Sequence, residues 1–378
     1  MNFKRTERTQ NLQGSLIRSI FESAPRDAIN LGLGMPDFDT VSEIKETAKI
    51  AIDKGATKYT PNKGIQKLRE LIAERYRNVI FDVNPENIIV TSGATEGIFC
   101  TITSIIESGD EVLIPDPGFL VYKNDVIIAG GKPVSVPLKE ETEFRMLPDV
   151  VNELITDKTK MIILNSPSNP TGGINEEKDV SGIAELVDDN KLIAVSDETY
   201  EKFIYNGNTH FSLGDLTENA VIINTFSKEF GMTGWRIGWL VCKEEIINEI
   251  LKVHQNVAAC APSISQEAAV RAISLTPDGL NSTLKEYKER RDLILQELIR
   301  IGIECFKPKG AFYVFPNFSS FGSSIEMSKR FLERGKIITV PGSAFGRYGE
   351  GYIRLRYALP KESIREAVKR IGEVVLKC

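Results

Sequence analysis

Histidine is almost missing from this chain: its 378 residues include two, His210 and His254. That scarcity argues against a histidine-centred triad and a multi-histidine metal site, since both need imidazoles gathered in one place. Both histidines are read as surface or core residues, and no metal is expected. Cysteine is sparse and odd in number: Cys100, Cys242, Cys260, Cys305 and Cys378 are scattered, without a CxxC pair. This spacing speaks against a disulfide scaffold or zinc ribbon and suits reduced thiols in a cytoplasmic protein. No apolar run approaches the ~18 residues that cross a bilayer. The polar start MNFKRTERTQ lacks the apolar core of a secretory signal. Long Lys/Arg blocks are also lacking and the formal net charge is −5, so neither nucleic acid nor a membrane is an expected partner. Gly32 and Gly34 resemble the opening of a dinucleotide fingerprint, but the third glycine is missing and Pro36-Asp37 stand where its helix would begin. A nicotinamide cofactor is rejected on that ground. A glycine turn that lets a substrate approach the backbone is the better reading.

What is present is a composition ordinary for a soluble enzyme, 42% hydrophobic and 26% charged. The length exceeds one core, so two domains are expected. Leu16, Ile17, Ile20 and Phe21 have helical spacing, which predicts an N-terminal helix over 12–24. Helices are also predicted over 41–56 and 65–78. Strands then alternate with helices: 88–91, 111–114, 133–137, 161–165, 192–196, 221–225 and 236–242. Most are Val/Ile-rich without polar alternation, as in strands buried on both faces. The expected fold class is α/β: a large domain with a mostly parallel seven-stranded sheet sandwiched by helices. From about residue 280 the pattern shifts to a long charged helix over 285–303. Short strands follow over 311–315, 337–340 and 352–357, with helices near 324–334 and 360–376. This reads as a smaller α+β domain. The expected division is 40–283 for the large domain and 1–39 with 284–378 for the small one, including an N-terminal arm.

Sites in such sheets lie at the carboxyl ends of the strands. Polar clusters fall there repeatedly: Gly93-Ala94-Thr95, Phe119, Asn165 to Gly173, Asp197-Glu198-Thr199-Tyr200, and Ser227-Lys228. The last belongs to NTFSKEFGMTGWRIGW over 224–239, around which the chain is organised. Lys228 sits where an apolar strand breaks into a polar, glycine-flanked turn. Desolvation there lowers an amine's pKa and frees its lone pair to condense with an aldehyde. Arg236 offers a fork of donors suited to phosphate, and Thr225 adds a hydroxyl. An aldehyde that carries its own phosphate is pyridoxal phosphate. Its phosphate would meet the N-terminus of the helix after Gly93, and its ring would stack on Phe119. Its phenolic oxygen would accept from Asn169 and Tyr200. Its ring nitrogen would face Asp197, which keeps the ring protonated as an electron sink. Plainer readings exist: a turn at 169–172, a core phenylalanine, and a helix cap or metal site at Asp197-Glu198, the metal disfavoured because no histidine is expected nearby. Arg354 and Arg356 lie on one predicted strand and are expected on opposite faces, one clamping a substrate carboxylate bidentately, the other in an ordinary surface or interdomain ion pair.

These residues bring the chain to a known family. LGLGMPDF, KYTPNKGIQKLRE, VTSGATEGI, PDPGFLVY, NSPSNPTGG, SDETY, TFSKEFGMTGWRIGW and YIRLRYA occur in order over nearly the whole length. The chain thereby resembles the class I/II aminotransferases, fold-type-I pyridoxal phosphate enzymes like aspartate aminotransferase. The resemblance implies a ping-pong transfer of an amino group between an L-amino acid and a 2-oxo acid, with 2-oxoglutarate and glutamate as one pair. It implies a Schiff base at Lys228, which also moves the proton. Asp197 would hold the pyridinium, Asn169 and Tyr200 the phenolic oxygen, and Phe119 the ring face. Ala94, Thr95, Thr225 and Arg236 would hold the phosphate. It further implies a homodimer with shared sites, in which Tyr59 reaches the neighbouring subunit's phosphate. Gly34, Asn169 and Arg354 would bind the substrate. Thr225 stands where serine is usual, Phe119 where tyrosine or tryptophan is often seen, and Arg356 where a small or neutral residue is common. A pyridoxal-dependent carbon–sulfur β-lyase or decarboxylase on the same fold is the alternative.

Overall fold

Runs of Val and Ile without polar partners find their place only where both faces of a sheet are covered. The computed structural model describes residues 27–77, 82–275 and 278–376, with positions 6, 9, 10, 12 and 25. The helix expected over 12–24 lies outside the described residues but for its first position. After a two-residue β1 (Ile29–Asn30) come β2 (Ile88–Thr91), β3 (Glu111–Asp116), β4 (Lys132–Pro137), β5 (Thr159–Asn165), β6 (Ile193–Asp197), β7 (Ala220–Thr225) and β8 (Gly238–Val241). The last seven form one sheet in the order β2-β8-β7-β6-β5-β3-β4. β8 runs antiparallel to both neighbours, and the other pairings are parallel. A strand was expected from residue 236. It starts at Gly238 because Arg236 has a left-handed backbone, φ 51°, which no strand accommodates.

Helices cover both faces. On one, α3 (Ala94–Ile105), α4 (Leu120–Ala129) and α8 (Glu244–Val257) bury Ile98, Ile102, Val126 and Ile250 against Ile163, Val195 and Ile223 of the sheet. The other is covered by α1 (Ser42–Asp53), α2 (Gln66–Arg75), α5 (Pro148–Leu154), α6 (Glu177–Asp189) and α9 (Ser263–Ile273). The short α7 (Phe226–Glu229) continues β7 directly. Wholly buried residues such as Ile163 and Ile223 each contribute about 1.5–3 kcal/mol by leaving water.

The last third builds a second core, joined to the first part by Tyr200, Phe203 and Tyr205. The charged helix begins earlier than expected, as α10 (Asp278–Arg300). It and α12 (Lys361–Val375) enclose a core of Tyr287, Ile294, Phe312, Leu355 and Ile371, with α11 (Ser324–Gly335) alongside. Here β9 (Tyr313–Val314), β11 (Val340–Pro341) and β12 (Ile353–Arg356) form an antiparallel sheet, and β10 (Ile337–Ile338) pairs in parallel with β1. The chain's first described strand thus closes onto its last third. Among the described residues no helix is long and apolar enough to cross a membrane.

Candidate active site

The strand ends converge on a cavity of about 260 Å³. Neighbouring strands set its floor by register: Asn165 on β5 pairs with Asp197 on β6, and Asp197 with Ile223 on β7. Lys228 therefore emerges one turn past Asp197's neighbour strand. α7 starts there because Thr225 caps it, its Oγ1 accepting from Ser227 N at 3.1 Å and donating to Ile237 O at 2.9 Å. Lys228 Nζ donates to Gly34 O at 2.7 Å and lies 5.8 Å above the Tyr200 ring. Burial, then the charges of Arg354 and Arg236, pull its amine down to about 8, against the opposing pull of Asp197.

Asp197 is buried, with Oδ2 accepting from Tyr122 Oη at 2.5 Å and Oδ1 from Thr199 N at 3.1 Å. Burial raises its pKa, and the Tyr122 and Thr199 donors oppose that rise. A buried carboxylate held only by neutral donors leaves a place for a cationic N–H. Across the cavity, Arg354 Nη1 donates to Asn169 Oδ1 at 2.7 Å. A guanidinium can only donate, so the amide presents its oxygen to Arg354 and keeps Nδ2 as a donor. Arg354 Nη2 donates to Gly32 O at 2.6 Å, and its rigid head lies 4.5 Å over the Tyr313 ring and 4.9 Å over Phe345. Its buried Nε has no partner among the described residues. Tyr200 Oη lies 2.7 Å from Tyr313 Oη. A Cβ at Gly34 would stand 2.5 Å from Tyr313 Oη, so only glycine lets that turn approach.

At the other end, Ala94 and Thr95 open α3, whose cap Gly93 has φ 90° and no side-chain cap bond. A Cβ at Gly93 would stand 2.5 Å from Arg236 Nη2. Arg236 donates to Thr233 O at 3.0 Å and Ser92 O at 3.3 Å, which aims its head along that helix end. Phe119 caps α4 and lines the cavity, edge-to-face with Tyr122 at 5.8 Å. The structure thus brings Lys228, Asp197, Tyr200, Ala94, Thr95, Phe119, Asn169, Thr225, Arg236, Gly34 and Arg354 around one space. It does not bring in Tyr59, which is 90% exposed on the surface. Pyridoxal phosphate fits this donor set. An uncapped helix end with an arginine suits a phosphate, and a depressed lysine amine suits an aldehyde. The buried Asp197 suits a pyridinium, and the partnerless Arg354 Nε suits a substrate carboxylate.

Among the lining residues, Tyr122 and Tyr313 escaped the sequence reading, while Ser227 and Asn165 were placed at the strand ends without a role. Ser227, a hydroxyl beside the lysine, was legible. Thr225 Oγ1 lies 2.9 Å from both Ser227 Oγ and Ile237 O, so the two hydroxyls belong to one hydrogen-bonded group. Two expectations are corrected. Arg354 and Arg356 share a face, since residues two apart on a strand do, and both reach residues 30–35. Arg356 is buried and, among the described residues, makes no ordinary ion pair: its Nε and Nη1 donate to Asn30 O and Met35 O. A histidine does stand beside the Asp197-Glu198 pair: His210 Nε2 is 3.3 Å from Glu198 Oε2. Glu198 already accepts from Ser196 and Ser212, and Glu201 from Arg75, so this cluster is an ion-pair network. His254 is a core residue, its ring nitrogens 2.8 Å from Glu96 Oε1 and 3.0 Å from Asn62 O.

A family model described as "Aminotransferase class I and II" matches residues 26–371. The chain is 43% identical over 377 residues to an aspartate aminotransferase of Pyrococcus horikoshii, covering 98% of this chain and 96% of that protein. It is 40% identical to aromatic-amino-acid aminotransferase 2 of Thermococcus litoralis, covering 98% of each. A crystal structure of an aromatic aminotransferase from Pyrococcus horikoshii superposes with a TM-score of 0.90 at 41% identity, covering 96% of this chain and 99% of that one.

Proposed function

The chain belongs to the class I and II aminotransferases, and from that premise we propose how its own residues share the work. It is a pyridoxal phosphate-dependent transaminase acting on an amino acid and a 2-oxo acid. When bound, pyridoxal phosphate supplies an aldehyde that condenses with amines and a ring that takes up the electron pair left at a substrate α-carbon. Lys228 Nζ is the group that holds the cofactor and then moves the α-proton. An ordinary lysine is charged at neutral pH and cannot accept that proton. The placement of Lys228 in one cavity with Asp197, Asn169, Arg236 and Arg354, its Nζ on Gly34 O beside the Tyr200 ring, is the observation that carries this assignment, and its depressed amine agrees with it. Asp197, braced by Tyr122 and Thr199, holds a proton on the ring nitrogen. Asn169 Nδ2 and Tyr200 Oη orient the phenolic oxygen, and Phe119 bounds the ring face. Ala94, Thr95, Thr225, Ser227 and Arg236 take the phosphate. Arg354 and Gly34 bind the α-carboxylate, with the Arg354 Nε as the waiting donor.

We take 40–283 as the large, cofactor-binding domain and 1–39 with 284–378 as the small one, a division supported by the second core around Tyr287 and Phe312, to which Tyr200, Phe203 and Tyr205 of the large part also contribute. A homodimer in the cytoplasm is part of the same reading. Tyr59, exposed on the surface, is the residue that would reach a partner's phosphate. Glutamate and 2-oxoglutarate form one substrate pair. The relatives are named for aspartate and for aromatic amino acids, so these are the donors to try first. The test is the visible spectrum of the purified protein before and after glutamate, alanine, aspartate or phenylalanine. A yellow band that shifts to the near-ultraviolet with one of them supports transamination. A band that persists with all four, with pyruvate and ammonia formed from a cysteine conjugate without an amino acceptor, or carbon dioxide released from an amino acid, would replace it by the lyase or decarboxylase. Lys228→Ala abolishes turnover while leaving the fold intact.

A further inference from the structure

Four backbone carbonyls within residues 30–35 each take a cation from elsewhere in the chain. Lys228 Nζ donates to Gly34 O at 2.7 Å and Arg354 Nη2 to Gly32 O at 2.6 Å. Arg356 takes the two outer positions, Nε on Asn30 O at 3.1 Å and Nη1 on Met35 O at 2.8 Å. The three cations are not equivalent. Lys228 and Arg354 have ligands to serve, and a lysine amine bonded to a cofactor is no longer an ammonium donor for Gly34. Arg356 has no such errand. It does not line the active-site cavity; it lines a neighbouring one with Met35, Asp37 and Trp235. Its head is buried, and its planar fork spans both ends of the turn, which a lysine's single ammonium cannot reproduce.

We propose that Arg356 is a positioning residue: it pins the 30–35 turn from behind, and so keeps Gly34 in place while Lys228 exchanges the turn's carbonyl for its ligand and Arg354 takes up its own. This rests on the aminotransferase reading above. The turn bears on substrate binding because Gly32, Leu33 and Gly34 line the cavity, with Gly34 packed so closely that a Cβ there would meet Tyr313 Oη. The turn's other ties are local or backbone: Gly32 N and Leu33 N donate to Asn30 Oδ1 at 3.0 Å each, and Arg356 N donates to Leu31 O at 2.8 Å. Truncating the Arg356 side chain leaves those in place, so the fold survives while the turn loosens.

The experiment compares wild type, Arg356→Met and Arg356→Lys, each loaded with pyridoxal phosphate. Arg356→Met raises KM for aspartate, alanine and phenylalanine alike, by about tenfold, because a small misplacement at a binding site is costly. Its kcat, its affinity for pyridoxal phosphate by absorbance titration and its melting temperature stay near wild type. Arg356→Lys recovers part of the KM, since its ammonium reaches one carbonyl. An unchanged KM overturns the proposal. So does a loss confined to aspartate, which would mean direct contact with the substrate side chain, and so does cofactor affinity falling in step with KM. If Arg356→Met does not fold, an unchanged KM in Arg356→Lys overturns it equally. Failure of the underlying reading shows elsewhere, as a wild type that never acquires a cofactor band.

Discussion

The Lys228 amine is the most directly measurable consequence of the site. Its fall from the ordinary 10.5 to about 8 corresponds to roughly 3 kcal/mol of extra cost for the charged form. At pH 7 about a tenth of the amines are then neutral, some 300-fold more than for an unperturbed lysine. Two perturbations separate the causes. Arg354→Met removes a positive charge and moves the midpoint up; Asp197→Asn removes the opposing negative charge and moves it down. The assay is competitive acetylation of the cofactor-free protein across pH 6–11, with the Lys228 peptide quantified by mass spectrometry. The same shift has a stability signature. Between about 8 and 10.5 the unfolded chain holds more protons than the folded one, so the cofactor-free protein gains stability as pH rises through that window. The cost is carried in full below it. A Lys228 midpoint near 10.5, or one that Arg354→Met leaves in place, refutes the electrostatic reasoning.

Asp197→Ala lowers the transamination rate by several orders of magnitude but cofactor retention much less, because the phosphate contacts remain; single-turnover spectra and cofactor titration separate the two. Gly93→Ala keeps the fold and weakens cofactor affinity, since its new Cβ displaces Arg236 and strains a backbone at φ 90°; equilibrium dialysis against pyridoxal phosphate reads this. Asp125 is buried with Oδ2 unpartnered, and burial alone lifts its pKa to about 7. The folded form binds the extra proton, so this carboxyl destabilises increasingly as pH rises from about 4 to 7. Asp125→Asn accordingly raises the melting temperature at pH 8 by a few degrees, and the gain vanishes near pH 4; a constant gain across pH would contradict the titration.

The seven strands of the large sheet were legible because burial on both faces writes them as unbroken Val/Ile runs, and the cluster of site residues followed from where those runs end. Direction was not legible: nothing in the pattern around Gly238–Val241 marks β8 as the reversed strand. Partners distant along the chain were equally hidden. Tyr122 reaches Asp197 across 75 positions and Tyr200 meets Tyr313 across 113, and Tyr122 and Tyr313 alone each read as core aromatics. Arg356 was misplaced for a different reason. The strand's period of two was available, and it puts Arg356 on Arg354's side. Its carbonyl partners lie more than 300 residues away, so the bonding could come only from the folded chain.

The outermost strand of the large sheet carries one more consequence. Along β4, Lys132 N donates inward to Asp110 O and Leu138 N to Asp116 O, so by alternation the amides of 133, 135 and 137 point outward. Two of those three positions are proline, and proline has no proton to give. Ser135 alone is left to recruit a foreign strand. At the opposite border, Val90 N donates to Lys63 O, so a loop occupies that edge of β2. A sheet this apolar would otherwise template its own fibrils. Here neither border offers a row of donors, which lets the chain be crowded at high concentration without stacking edge to edge.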